Sequence, residues 1–96
     1  MSLHGVVWFH LRREVIVMAY VTGRLGFNVE NDRYGLLVTD LWEDTGFHCG
    51  ECLEVKVDDK WVESRMEMNS SGEWYLVDTP YCGDLEYVRA RIKKEW

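Results

Sequence analysis

The sequence predicts a mostly-β fold: a small antiparallel barrel or sandwich of about five to six strands, SH3-like or OB-like, preceded by an N-terminal extension. Three observations predict it. Five Trp and five Tyr in 96 residues favour strands, because flat rings fit a pleated, half-buried surface. Short alternating segments recur at regular spacing and are punctuated by Asn-Asp, Asp-Lys and Ser-Ser-Gly turns. One apolar face also continues through two successive hairpins. A chain of this length is one domain and buries about two thirds of its unfolded surface, enough for a core without disulfide staples.

Residues 1–17 leave two readings open. Val6, Val7, Val15, Ile16 and Val17 lean towards strand, with Arg12-Arg13-Glu14 as a turn. The same stretch also reads as a helix from His10 that stops at Gly23. Beyond it, register can be written residue by residue. The first hairpin runs Leu25–Glu30, turns at Asn31-Asp32 and returns over Arg33–Val38. Asn and Asp tolerate the left-handed backbone of such a loop. This sets Glu30 opposite Arg33, Val29 opposite Tyr34, Phe27 opposite Leu36 and Leu25 opposite Val38. A long connection from Leu41 to Glu51 follows, carrying Trp42, His48 and Cys49, with Gly46 and Gly50 as punctuation.

The second hairpin is expected over Cys52–Asp58 and Trp61–Met68, with Asp59-Lys60 as its loop. Val57 then faces Val62, Val55 faces Ser64 and Leu53 faces Met66 on the apolar side. On the polar side Lys56 faces Glu63 and Glu54 faces Arg65, opposite-charge pairs contributing roughly 0.2–1 kcal/mol each. A one-residue slip would invert the faces, so the joint fit of charge and core supports this register. The third hairpin turns at Ser70-Ser71-Gly72, Gly taking the positive-φ position, and pairs Met68 with Trp74 and Met66 with Leu76. Met66, Trp74 and Leu76 are expected in the core. A last strand is expected over about Tyr87 to Ile92.

The net charge is −6, short of the Lys and Arg that grip a phosphate backbone. The distribution is uneven: Glu30 to Asp59 carries nine acids against Arg33 and Lys56, and Arg89 to Trp96 carries four bases against Glu95. This is either a solvated surface with a basic tail or two patches that meet, within one molecule or between two. Three Cys cannot all pair within the chain, which fits a reducing cytoplasm better than secretion. No stretch approaches the roughly 18 apolar residues of a membrane span, and Val6–Phe9 is too short for the core of a secretion signal.

Cys49-Gly50-Glu51-Cys52 has the spacing of half a tetrahedral zinc site, with Cys82 and His48 as further candidate ligands. One knuckle is weaker than the paired knuckles of a zinc signature, and small thiols commonly pack beside a core. A redox Cys-x-x-Cys usually opens a helix in a βαβ setting, which is lacking. Cys49 with His48 as its base is disfavoured, because neighbours on an extended chain point to opposite sides. No phosphate loop, catalytic triad or metal-binding carboxylate loop occurs. Small barrels also bind single-stranded nucleic acid by stacking bases on aromatics in a basic groove. Trp61 and Arg65 share a strand face, and Arg89, Arg91 and Lys93 are candidates to lie nearby, although the net charge opposes this reading.

Four motifs taken together carry a resemblance: Asp32-Arg33-Tyr34-Gly35, His48-Cys49-Gly50-Glu51-Cys52-Leu53-Glu54-Val55, Trp61-Val62-Glu63-Ser64-Arg65-Met66-Glu67 and Trp74-Tyr75-Leu76-Val77. From about Ala19 to Ile92 the chain resembles a family of small domains of unknown function from Gram-positive bacteria and their phages or mobile elements. The resemblance implies a bacterial cytoplasm and brings no catalytic residues. It begins just after Met18, so residues 1–17 are expected to be an extension outside a domain spanning 18–96. Met1-Ser2-Leu3 is compatible with a cloning leader. Arg13-Glu14-Val15 is encodable as a purine-rich ribosome-binding sequence, with Ile16 and Val17 as its spacer before Met18. An apolar extension seeks a sheet edge and is a route to a homodimer. The expected function is a non-enzymatic module that makes protein–protein contacts and needs no cofactor. The alternatives are a single-stranded nucleic-acid-binding barrel and a zinc-stabilised domain.

Overall fold

A computed structural model describes residues 3–11 and 14–95, with side chains described for residues 19–94. It contains eight strands: β1 (Leu3–Leu11), β2 (Glu14–Asn28), β3 (Arg33–Val38), β4 (Leu41–Asp44), β5 (Cys52–Val57), β6 (Lys60–Met68), β7 (Trp74–Leu76) and β8 (Arg89–Glu95). All pairings are antiparallel, in the order β4-β3-β2-β8-β5-β6-β7, with β1 also on β2. The mostly-β class is therefore correct, with eight strands among the described residues instead of five or six. The sheet does not close into a barrel, since β4 and β7 remain edges. It rolls over a single core in which Leu25 and Leu36 from one half meet Val55, Met66 and Leu76 from the other, with Phe47 and Leu85 added from connections.

The helix reading of the N-terminal stretch is wrong: β2 is one fifteen-residue strand. Gly23 sits within it for a different reason. A Cβ there would lie 2.0 Å from the Leu37 carbonyl oxygen, so glycine permits a close backbone approach where a helix stop had been expected. Leu11 pairs with Glu14, and Arg12 and Arg13 lie outside the described residues. The expected long connection after β3 also contains a strand. Val38 pairs with Leu41 across Thr39 (φ 47°) and Asp40 (φ 61°), the two left-handed positions of a tight hairpin loop. Neither residue is the usual glycine, which is why the turn was not evident.

Two hairpins have the expected faces with a register displaced by two residues. In the first, Asn28 pairs with Arg33, Phe27 with Tyr34 and Leu25 with Leu36, leaving a four-residue loop, Val29–Asp32. Asn28 builds that loop, its carbonyl accepting from the Asn31 and Asp32 N–H groups (3.3 and 2.9 Å) and its side chain from Glu30 (3.0 Å). In the second, the loop is Asp58-Asp59, with φ 50° and 63°. Val57 pairs with Lys60 and Val55 with Val62. Aspartate tolerates left-handed backbone and lysine does not, so the turn settles one residue earlier than Asp59-Lys60. The expected pairs Glu54–Arg65 and Lys56–Glu63 therefore do not form. Glu54 faces Glu63, Lys56 faces Trp61, and Arg65 pairs with Glu67 at 3.1 Å.

The third hairpin matches its expected register, Met66 with Leu76 and Met68 with Trp74, with Gly72 at φ 79°. Met66 and Leu76 are fully buried. Trp74 is only partly buried against the core, its Nε1–H donating to the Asp32 carbonyl at 2.9 Å. The last strand begins later than expected, at Arg89, and extends to Glu95. Its bases form no tail: β8 lies in the middle of the sheet, between β2 and β5.

Candidate functional site

β8 is joined to β2 over seven residue pairs, from Met18↔Glu95 to Arg24↔Arg89, but to β5 only at Glu54↔Arg91 and Val55↔Ala90. Past Arg91, β8 stays with β2 while β5 stays with β6. The sheet consequently opens into a cleft of about 520 Å³, within the roughly 300–1,000 Å³ usual for ligand sites. Phe47, Leu53, Val77 and Ile92 give it an apolar lining. Its polar lining has five carboxylates, from Asp44, Glu51, Glu54, Glu63 and Asp78, against Arg65, Arg91 and Lys93.

At the head of the cleft the guanidinium of Arg91 lies between two rings, its carbon 3.9 Å from the Tyr20 centroid and 4.3 Å from that of Trp61. Arg91 also donates to one Glu54 oxygen from Nη2 at 2.7 Å and from Nε at 3.1 Å. Lys93 bridges the like charges, with Nζ 3.9 Å from Glu54 and 3.8 Å from Glu63. Farther along, Lys94 pairs with Glu43 at 2.7 Å. The acidic stretch and the basic C-terminal segment thus meet within one molecule, the sharper of the two charge readings. Cation–π contacts and a partly desolvated ion pair make Arg91 a fixed piece of the surface.

Of the nucleic-acid candidates, Trp61, Arg91 and Lys93 are brought together, and Arg65 and Lys93 line the cleft. Arg65 is spent on Glu67. Arg89 is exposed and lies in a separate shallow depression with Lys56, Asp58, Asp59, Glu86 and Tyr87. Carboxylates interleave with every basic residue of the group, which is unfavourable for a phosphate backbone.

The zinc candidates do not converge. Cys49, Cys52 and Cys82 are free and exposed. Cys52 begins β5, whereas Cys82 is bridged to Tyr75 beside β7 and takes a contact from Asn69 at 3.7 Å. The His48 N–H donates to Glu51 at 2.8 Å, closing the loop that contains Cys49. Among the described residues no three His, Cys, Asp or Glu side chains are grouped to hold an ion.

Sequence reasoning did not single out Tyr20, Phe47, Val77, Asp78 or Ile92. The one available signal was the excess of acids in the middle of the chain and of bases at its end. A family model described as domain of unknown function (DUF5348) matches residues 23–92. The chain belongs to this family. The matched region includes both walls of the cleft up to Ile92. A crystal structure of a protein from Ruminococcus gnavus, solved by a structural genomics consortium, is also similar: 37% identity, TM-score 0.61, 75% of this chain and 100% of that chain covered. No curated protein matches the chain. No helix among the described residues is long and apolar enough to cross a membrane.

Proposed function

We propose that this chain is a non-enzymatic binding module that makes protein–protein contacts through the cleft between β5 and β8, in a bacterial cytoplasm and in a phage or mobile-element setting. The observation that carries the reading is the make-up of the cleft: an apolar lining that includes the half-buried Val77 and Ile92, beneath a rim with more carboxylates than bases. Apolar floors with few polar groups favour binding. The acid excess favours a protein segment over a nucleic acid. Three unpaired thiols suit a reducing compartment.

The test is a pair of titrations followed by amide chemical shifts. Peptides selected by display against the folded chain should shift Leu53, Val77 and Ile92. Fluorescein-labelled oligothymidine at low salt should not bind. Oligothymidine binding that shifts Trp61, Arg91 and Lys93 instead would replace this reading with the nucleic-acid one.

A further inference from the structure

We propose that the cleft is a strand-addition site, in which an extended segment of a partner protein bearing Lys or Arg pairs with the open edge of β8 beyond Arg91. This rests on the reading of the cleft as a protein-binding site and specifies how that site would be occupied.

The edge follows from the pairing pattern. β8 has β2 beside it along its whole length, but β5 beside it only at Ala90 and Arg91. If that register continued, Ile92 would pair with Leu53 and Lys93 with Cys52; these pairs do not form. β5 is held away because its entry is tied to β6. The Gly50 N–H donates to the Met66 carbonyl at 2.8 Å, and the Met66 N–H donates to the Glu51 carbonyl at 3.0 Å. From Ile92 onward, alternate backbone groups on the β5 side of β8 have no strand partner among the described residues. Such an edge is a template for another strand.

The surroundings separate this edge from those of β4 and β7. Here the open backbone borders a cleft, and a side chain entering it would meet the half-buried Val77 and Ile92. Alternate residues of an added strand point to one side, so every second one would be apolar. The charge argues for the others. Glu54 and Glu63 are matched by Arg91 and Lys93, whereas Asp44, Glu51 and Asp78 have no cation within ion-pair distance among the described side chains. An incoming segment with alternating apolar and basic residues satisfies floor and rim together.

The probe is a fluorescein-labelled heptapeptide, Val-Lys-Val-Lys-Val-Lys-Val, with two isomers N-methylated either on its first two Lys residues or on its two interior Val residues. A strand uses alternate N–H groups along one edge. One isomer should therefore lose at least tenfold in affinity for the full chain, while the other stays within about threefold of the parent. Amide exchange should slow on binding at whichever of Ile92 and Lys93 has its N–H on the β5 side, the other N–H facing β2. The Glu51→Gln, Asp78→Asn double variant, which removes both charges while keeping an acceptor for the His48 N–H and a residue that tolerates the left-handed backbone at 78, should bind the parent peptide about tenfold more weakly. If both isomers bind like the parent, strand addition is wrong while the protein-binding reading stands. If the parent does not bind, or the double variant binds unchanged, the proposed occupant is wrong. The display-selected peptides judge the broader reading separately.

Discussion

Arg91 joins three side chains of the outer surface, stacking on Tyr20 and Trp61 and pairing with Glu54. It and Glu54 are 17% and 12% exposed, so the pair has lost most of its water. Removing one partner leaves the other partly buried, with only Lys93 at 3.9 Å to compensate. Arg91→Ala is therefore expected to cost about 2–3 kcal/mol in urea melts, below the 3–5 kcal/mol of a fully buried pair. Arg91→Lys should recover less than half of that loss, because lysine keeps the charge but not the planar, forked group that stacks between Tyr20 and Trp61. Trp74 illustrates a smaller effect than its size suggests. With its ring partly exposed and its indole N–H on the Asp32 carbonyl, Trp74→Ala should cost about 2–3 kcal/mol by the same measurement, short of the usual 3–5 kcal/mol for a buried ring. The thiols give a third check. All three are exposed, so a thiol reagent should titrate three groups in the native protein without denaturant.

At the scale of elements, the tight loops show what was legible in the sequence and what was not. Parity was legible: Leu25, Leu36, Leu53, Val55, Met66 and Leu76 all fall on the buried side, because a period of two survives any even displacement. Exact pairing was not, because it depends on which residues become left-handed. Asp58 and Asp59 compete with Asp59 and Lys60, and Asn28 enlarges its own loop through its side chain. The misplaced charge pairs followed from this. Glu54 finds its cation on β8, thirty-seven residues away, where local pairing rules have no reach. The cleft was illegible for the same reason, being the place where two distant strands stop pairing. The loop Thr39-Asp40 yields a prediction. Both residues hold left-handed backbone, and Thr39 is β-branched, so Thr39→Asn with Asp40→Gly should add about 0.5–1 kcal/mol by thermal melts. Gly35→Ala should do the opposite and cost about 1–3 kcal/mol, because a Cβ there would lie 2.2 Å from the Asp44 carbonyl oxygen.

For the whole molecule, the outline is elongated, with extents of 48 × 27 × 24 Å and a radius of gyration of 14.1 Å, against about 12–13 Å for a compact domain of this length. The start of β2, residues 14–17, pairs with β1 alone, and β8 joins only at Met18. Since the described core begins at Ala19, a chain starting at Met18 should still unfold cooperatively in urea and show a smaller radius by small-angle X-ray scattering. The strand order has a consequence for biosynthesis. The hairpins β2-β3-β4 and β5-β6-β7 are each made of neighbours in the chain, and β8 is the piece that joins them. During translation both can form while the nascent chain is still growing, but they cannot be locked together until the eighth strand has left the ribosome. Until then the long strand β2 and the first strand of the second hairpin both offer open edges, which is when such a chain is most exposed to aggregation. The final loop closure spans sixty-five residues, from Arg24 to Arg89. Refolding should accordingly be slow for the size of the chain, in milliseconds to seconds, as for other sheets dominated by distant pairings.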